Sequence, residues 1–173
     1  MILDNGNRTE FSTGAVRDIQ IDKGRCDLLP FDAVALMFDG AQYSIFVELN
    51  RFMESGDTLC LTRAIEDFTA CEEKSIYDML MEVAKHYEQG AIKYSERNWQ
   101  KGIPLHSFID SGVRHLLKHW DGWRDEHHDR AFVWNMLGAV WTAKHKPDMI
   151  DIPFEMLKKV DFLGSLEEMD SEE

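Results

Sequence analysis

Apolar residues recur at three- and four-residue intervals along most of this chain, the period that places them on one side of an α-helix. The longest stripe begins after Glu72 with Ile76, Leu80, Val83, Ala84, Tyr87 and Ala91, and closes near Gly90 or Tyr94. A second opens at Pro104, carries Phe108, Ile109, Val113, Leu116, Leu117 and Trp120, and ends at Asp121-Gly122. Proline suits a first turn because its missing N–H is not needed there. A third stripe runs through Phe132, Val133, Met136, Leu137, Val140 and Trp141 until Pro147 stops it. The pattern predicts that Asp125-Glu126 starts this helix, since acidic side chains in a first turn oppose the helix dipole.

Upstream, Pro30 opens a run through Ala33, Val34 and Met37 that Asp39-Gly40 ends. Ile45, Leu49, Phe52 and Met53 mark the next helix, Gly56-Asp57-Thr58 supplies a break and a cap, and Leu59 to Phe68 repeats the pattern. The stretch SERNWQKGIP reads as a loop. No run alternates convincingly with period two and no segment repeats. The expected fold class is therefore all-α, a helical bundle in which residues 39 to about 72 are helical packing. Residues 1–16, polar with Gly6, Thr13 and Gly14, are expected as a flexible lead-in to a domain at 17–147. Residues 148–173 are expected as a short helix from about 153 to 160 and a disordered acidic tail.

The 173 residues suit one domain, and 44% hydrophobic with 29% charged residues is ordinary for a globular protein. The formal net charge of -13 argues against a broad footprint on duplex nucleic acid or an anionic membrane. Lys and Arg are relatively frequent between Lys85 and Arg130, so a small anionic ligand fits that part of the chain. Cys26, Cys60 and Cys71 have no CxxC spacing, which suits reduced thiols in a cytoplasm better than disulfides or a zinc site. No leader pattern and no long apolar span is present. The expected location is cytoplasmic.

Several stripes carry ionisable groups on their edges, where desolvation is costly unless the groups are paired or bind something. Glu88, Asp110 and the cluster Asp125, Glu126, His128 and Asp129 form the pool of metal ligands, and Mg2+ or Mn2+ is the expected cofactor. The spacings Glu126-x-x-Asp129 and Asp125-x-x-His128 put each pair on one helix face. Lys93, Arg97, Lys101, Arg114 and Lys118 are positioned to neutralise a polyphosphate. Lys23-Gly24-Arg25-Cys26-Asp27 is either a turn that presents amides and cations to an anion or a turn whose charges face water. Trp99 is either a platform for a base or a lid over the core. Metal-assisted phosphoanhydride hydrolysis and a plain bundle with solvated charges both fit the residue chemistry.

A family resemblance narrows this. GAVRD at 14–18, KGRCDLLP at 23–30, EQGAIKYSERNWQKGIP at 88–104, IDSGVRHLLK at 109–118 and DEHHDRAFVWN at 125–135 resemble, in order, the motifs of the dATP/dGTP diphosphohydrolase N-terminal family, which is common in phages and prophages. The resemblance implies a relative of the MazG-like all-α nucleoside triphosphate pyrophosphohydrolases. These hold Mg2+ through carboxylates on adjoining helices, cleave between the α- and β-phosphates, and form dimers or tetramers. In a phage-encoded protein the cytoplasm would be that of a bacterial host. Ser95 stands where the family has glycine, and the segment from about 39 to 75 is absent from compact members.

Carried over, Lys23, Arg25, Lys93, Tyr94, Arg97, Asn98, Trp99, Arg114 and Asn135 become candidate substrate contacts, beside Lys101 and Lys118. The candidate catalytic set is Glu88, Asp110, His115, Glu126 and His128, with His115 alternatively bonding a phosphate. The expected function is metal-dependent hydrolysis of a purine deoxynucleoside triphosphate to the monophosphate and pyrophosphate. A non-catalytic nucleotide-binding or assembly module on the same scaffold is the alternative.

Overall fold

Two glycines set how closely the last two long helices approach. In the computed structural model, which describes residues 8–154, these helices span Leu105–Trp120 and His128–His145 and run antiparallel. A Cβ on Gly112 would lie 2.3 Å from Cε of Met136, and one on Gly138 would lie 2.4 Å from the Phe108 ring. Only glycine at these positions lets the backbones come so near.

In chain order the helices are α1 (Phe31–Ala35), α2 (Gly40–Ser55), α3 (Thr58–Cys71), α4 (Ile76–Tyr94), α5 (Leu105–Trp120) and α6 (His128–His145). The bundle is all-α, as the periodicity predicts. α2 and α3 form a hairpin. Gly56 takes the left-handed conformation at φ 71°, and Asp57 caps α3 by accepting a hydrogen bond from the amide of Leu59 at 2.9 Å. Phe46 packs edge-on against Trp120, and Phe68 against Phe132. The 39–75 segment is thus seated on α5 and α6 and shares their core.

Three expectations are corrected. α6 begins at His128, so Asp125 and Glu126 lie in the preceding loop and Glu126 shares no helix face with Asp129. Asp125 turns its carboxylate to His128 and does not cap the helix. On α4 the buried residues are Met79 and Val83, whereas Ile76 and Leu80 are exposed. Ile76, Tyr77, Met79, Leu80 and Met81 crowd this stretch, so several stripes satisfy the same period.

The third correction is a β-hairpin within the expected lead-in and the start of the domain. β1 (Arg8–Glu10) pairs antiparallel with β2 (Val16–Asp18), Thr9 opposite Arg17. Strands of three residues are too short for an alternation to show. Asn98 docks the hairpin on the loop after α4: its Oδ1 accepts from the amide of Val16 at 3.0 Å and its Nδ2 donates to the carbonyl at 2.8 Å. Thr13 adds a hydrogen bond to the carbonyl of Gly102. The helix expected from about 153 to 160 and the acidic tail lie outside the described residues, apart from Pro153 and Phe154. Among the described residues no helix is long and apolar enough to cross a membrane.

Candidate active site

The hairpin, the C-terminal half of α4, the loop that follows it, and the facing sides of α5 and α6 enclose a cavity of about 730 Å³, a size that takes a small-molecule ligand. Tyr87, Trp99 and Trp134 line part of its wall, and Lys23, Arg97 and Lys118 reach it from other elements. No residue between 31 and 85 lines it, so the α2–α3 hairpin does not shape the pocket.

His115 and Glu126 also line this cavity, and behind them stands His128, 2% exposed. The α5–α6 approach at Gly112 brings the two imidazoles together, with 2.9 Å between their Nδ1 atoms. Oε1 of Glu126 lies 3.5 Å from Nδ1 of His115 and 3.8 Å from Nδ1 of His128. Nε2 of His128 donates to Oδ1 of Asp125 at 2.6 Å, which fixes the tautomer and leaves the Nδ1 lone pair facing His115. The three donor atoms fall within 4.8 Å of one another, close enough to hold one metal ion. A carboxylate behind a ligating histidine is the usual arrangement around such ions.

The electrostatics fit this geometry. Burial, then the neighbouring His128, holds the His115 pKa well below the ordinary histidine value, so His115 is a neutral donor at neutral pH. Burial pushes the Glu126 carboxyl up from its usual value. Burial also works to raise Asp125, but the hydrogen bond from His128 and the charge of Lys118 outweigh it and its pKa is lowered.

The remaining expected site residues divide. Glu88 is exposed on the cavity rim. Asp110, fully buried, accepts from the amide of Cys26 at 2.7 Å and from Arg114 at both oxygens. With its lone pairs committed it does not join the cluster. Arg114 also donates to the carbonyls of Lys23 and Gly24, so this pair ties the KGRCD turn to α5. Asp129 points to Lys74, at 2.8 Å, and also stands apart. Arg25 is held bidentately by Asp27 and does not line the cavity. Lys101 bonds the carbonyl of Gly14 and is likewise outside the lining.

Lys93 pairs with Asp18 at 2.7 Å. Tyr94 lines the cavity, its hydroxyl pKa raised by burial and by a hydrogen bond with Asp18. Trp99 does two jobs at once: its ring meets Trp141 at 4.9 Å and Tyr87 at 5.5 Å, and it lines the cavity. Asn98 and Asn135 also line it, but both have their amides engaged by protein groups.

Arg17, Asp18 and His86 line the cavity as well and were missed as site residues. The first two stand within GAVRD, one of the motifs that carry the resemblance, and that was the available signal. His86 had none. Its ring packs on Trp134, and burial lowers its pKa to about 4.

The fold and site together are those of an all-α bundle with a cavity that combines an imidazole–carboxylate cluster with basic and aromatic side chains. Residues 74–152 match the sequence model of the family described as dATP/dGTP diphosphohydrolase, N-terminal. The match covers α4, α5, α6 and the cluster, just under half of the chain. No curated protein matches. No solved structure matches either.

Proposed function

We propose that the protein hydrolyses a purine deoxynucleoside triphosphate, dATP or dGTP, to the monophosphate and pyrophosphate with the help of a divalent metal ion. The observation that carries this reading is the convergence of His115 and Glu126 on the wall of the cavity with His128 directly behind them, within the segment that matches the family.

His115, His128 and Glu126 would hold the ion, with Asp125 orienting His128. Two imidazoles and one carboxylate suit Mn2+ better than Mg2+, which prefers an all-oxygen shell. The ion would supply a Lewis acid for phosphoryl oxygens. The chain's own groups do the rest. Lys23, Arg97 and Lys118 neutralise phosphate charge at the cavity. Tyr87, Trp99 and Trp134 offer apolar faces to a base. Glu88, on the rim, would accept a proton from attacking water.

The test is incubation of purified protein with each of the four deoxynucleoside triphosphates and Mg2+ or Mn2+, with products resolved by ion-exchange chromatography. Monophosphate and pyrophosphate from dATP or dGTP support the reading. Tight nucleotide binding without products would instead support a non-catalytic binding module.

A further inference from the structure

The cavity wall contains a guanidinium that has no ion-pair partner among the described residues. Arg17, at the centre of β2, donates from Nη1 to the carbonyl of Ser107 at 2.9 Å and from Nη2 to Oδ1 of Asn135 at 2.6 Å. Its carbon Cζ lies 5.2 Å from the ring centroid of Phe108 and 5.7 Å from that of Trp134. Both hydrogen-bond acceptors are neutral, and no carboxylate comes within ion-pair distance among the described residues. The two nearby acids are engaged elsewhere, Asp18 with Lys93 and Asp110 with Arg114.

Desolvation lowers the Arg17 pKa to about 10, which leaves the group charged at neutral pH. A desolvated cation without a counter-charge is costly. The same fold built ion pairs for Lys93, Arg114 and Lys118, the last two of which line the same cavity. The orientation of Arg17 is also fixed. Nδ2 of Asn135 donates to the carbonyl of Ala131 at 2.8 Å, so its Oδ1 faces the guanidinium. Of five N–H donors on a guanidinium, two are used by these contacts, and the side chain lines the cavity. Asn135 follows His128 by seven residues on α6, about 10 Å or two turns along the same side of the helix, so Arg17 and the imidazole pair address one ligand from two positions.

We propose that Arg17 is an anion receptor that binds a phosphate oxygen of the ligand, supplying through the ligand the counter-charge the protein withholds. This rests on the reading of the cavity as a nucleotide site and adds a residue to it. The basic loop residues then act as an outer rim, and Arg17 is the fixed inner contact that sets how far the phosphate chain enters.

Titration calorimetry with inorganic tripolyphosphate, in EDTA so that no metal contributes, tests this on the full chain. The wild-type protein is expected to bind, and Arg17→Met to bind about 10- to 100-fold more weakly, the effect of losing a charge-assisted hydrogen bond. Arg17→Lys, which keeps the charge without the fork, should fall between. Binding of deoxyguanosine and deoxyadenosine should be unchanged in both variants. Failure of the wild-type protein to bind tripolyphosphate, or equal affinity in Arg17→Met, overturns the proposal. So does a loss of nucleoside binding with tripolyphosphate binding intact, which would make Arg17 a reader of the base.

A purely structural Arg17 would lower the melting temperature without changing the affinity of the folded protein. Should Arg17→Met not fold, Arg17→Lys carries the comparison, and wild-type affinity in it overturns the proposal. Product analysis of the wild-type protein is independent, so hydrolysis with no Arg17 effect removes this inference and leaves the functional reading in place.

Discussion

Nε2 of His128 donates to Asp125 at 2.6 Å, and that contact determines that Nδ1 of His128 looks at Nδ1 of His115. The donor atoms of the cluster therefore depend on a residue that lies outside it. Asp125→Ala should leave the bundle folded and weaken Mn2+ binding about 10- to 100-fold. Electron paramagnetic resonance of free Mn2+ during a titration measures this, and unchanged binding would place the ion elsewhere.

Asp110 separates two roles by a different readout. Its carboxylate joins Arg114 and the Cys26 amide in a fully buried position, where removal of one partner leaves an uncompensated charge. Asp110→Asn is expected to cost about 3–5 kcal/mol of stability and to leave Mn2+ affinity of the folded protein near the wild-type value. Urea unfolding and a metal titration decide; a metal defect with full stability would restore Asp110 to the ligand set.

Acid should destabilise the metal-free protein before its carboxylates as a whole titrate. His86 is held to about 4 and His115 well below the ordinary value of 6.5, so the unfolded chain binds protons that the folded one refuses. Stability is then full above pH 6.5 and falls as pH drops toward 4. His86 alone accounts for about 3 kcal/mol over that interval. Glu126, raised by burial, works in the opposite direction as it takes up a proton while folded. Chemical denaturation between pH 4 and 8 tests the sign, and a flat profile contradicts it.

Gly138→Ala should destabilise more than Gly112→Ala. The added methyl of the first meets a phenyl ring that cannot fold away, and that of the second meets the end of a methionine side chain. Overpacking of the former kind costs about 1–3 kcal/mol, partly offset by the better helix propensity of alanine. Thermal melts rank the two, and equal losses would mean that Phe108 moves freely.

Arg97→Gln should raise KM for the nucleotide several-fold with little change in kcat, because an exposed cation at the cavity mouth aids binding without touching the reacting atoms. Steady-state kinetics on whichever substrate is hydrolysed give the answer; a fall confined to kcat would place Arg97 at the reaction itself.

The helices were legible because their stripes repeat over several turns, as from Phe108 to Trp120, and because caps such as Asp57 stand where the pattern breaks. The start of α6 was not, since acidic residues favour a first turn in general and only the tertiary hydrogen bond to His128 draws Asp125 away. Within the site, residue type identified Glu126, His115 and His128 as candidates, yet it gave equal standing to Asp110 and Asp129, whose partners Arg114 and Lys74 are distant or ambiguous in sequence. Arg17 was hidden for a related reason: its acceptors, Ser107 and Asn135, lie 90 and 118 positions away, beyond any local pattern.

Those long separations bear on how the molecule is assembled. The hairpin is synthesised before Asn98, which clamps it, and well before Asn135, which receives Arg17. Helical turns can form as they appear, whereas this closure must await the arrival of α6 and a slow encounter between remote parts of the chain. The ligand space therefore cannot close until the last long helix has been made, and it opens again wherever that seam parts.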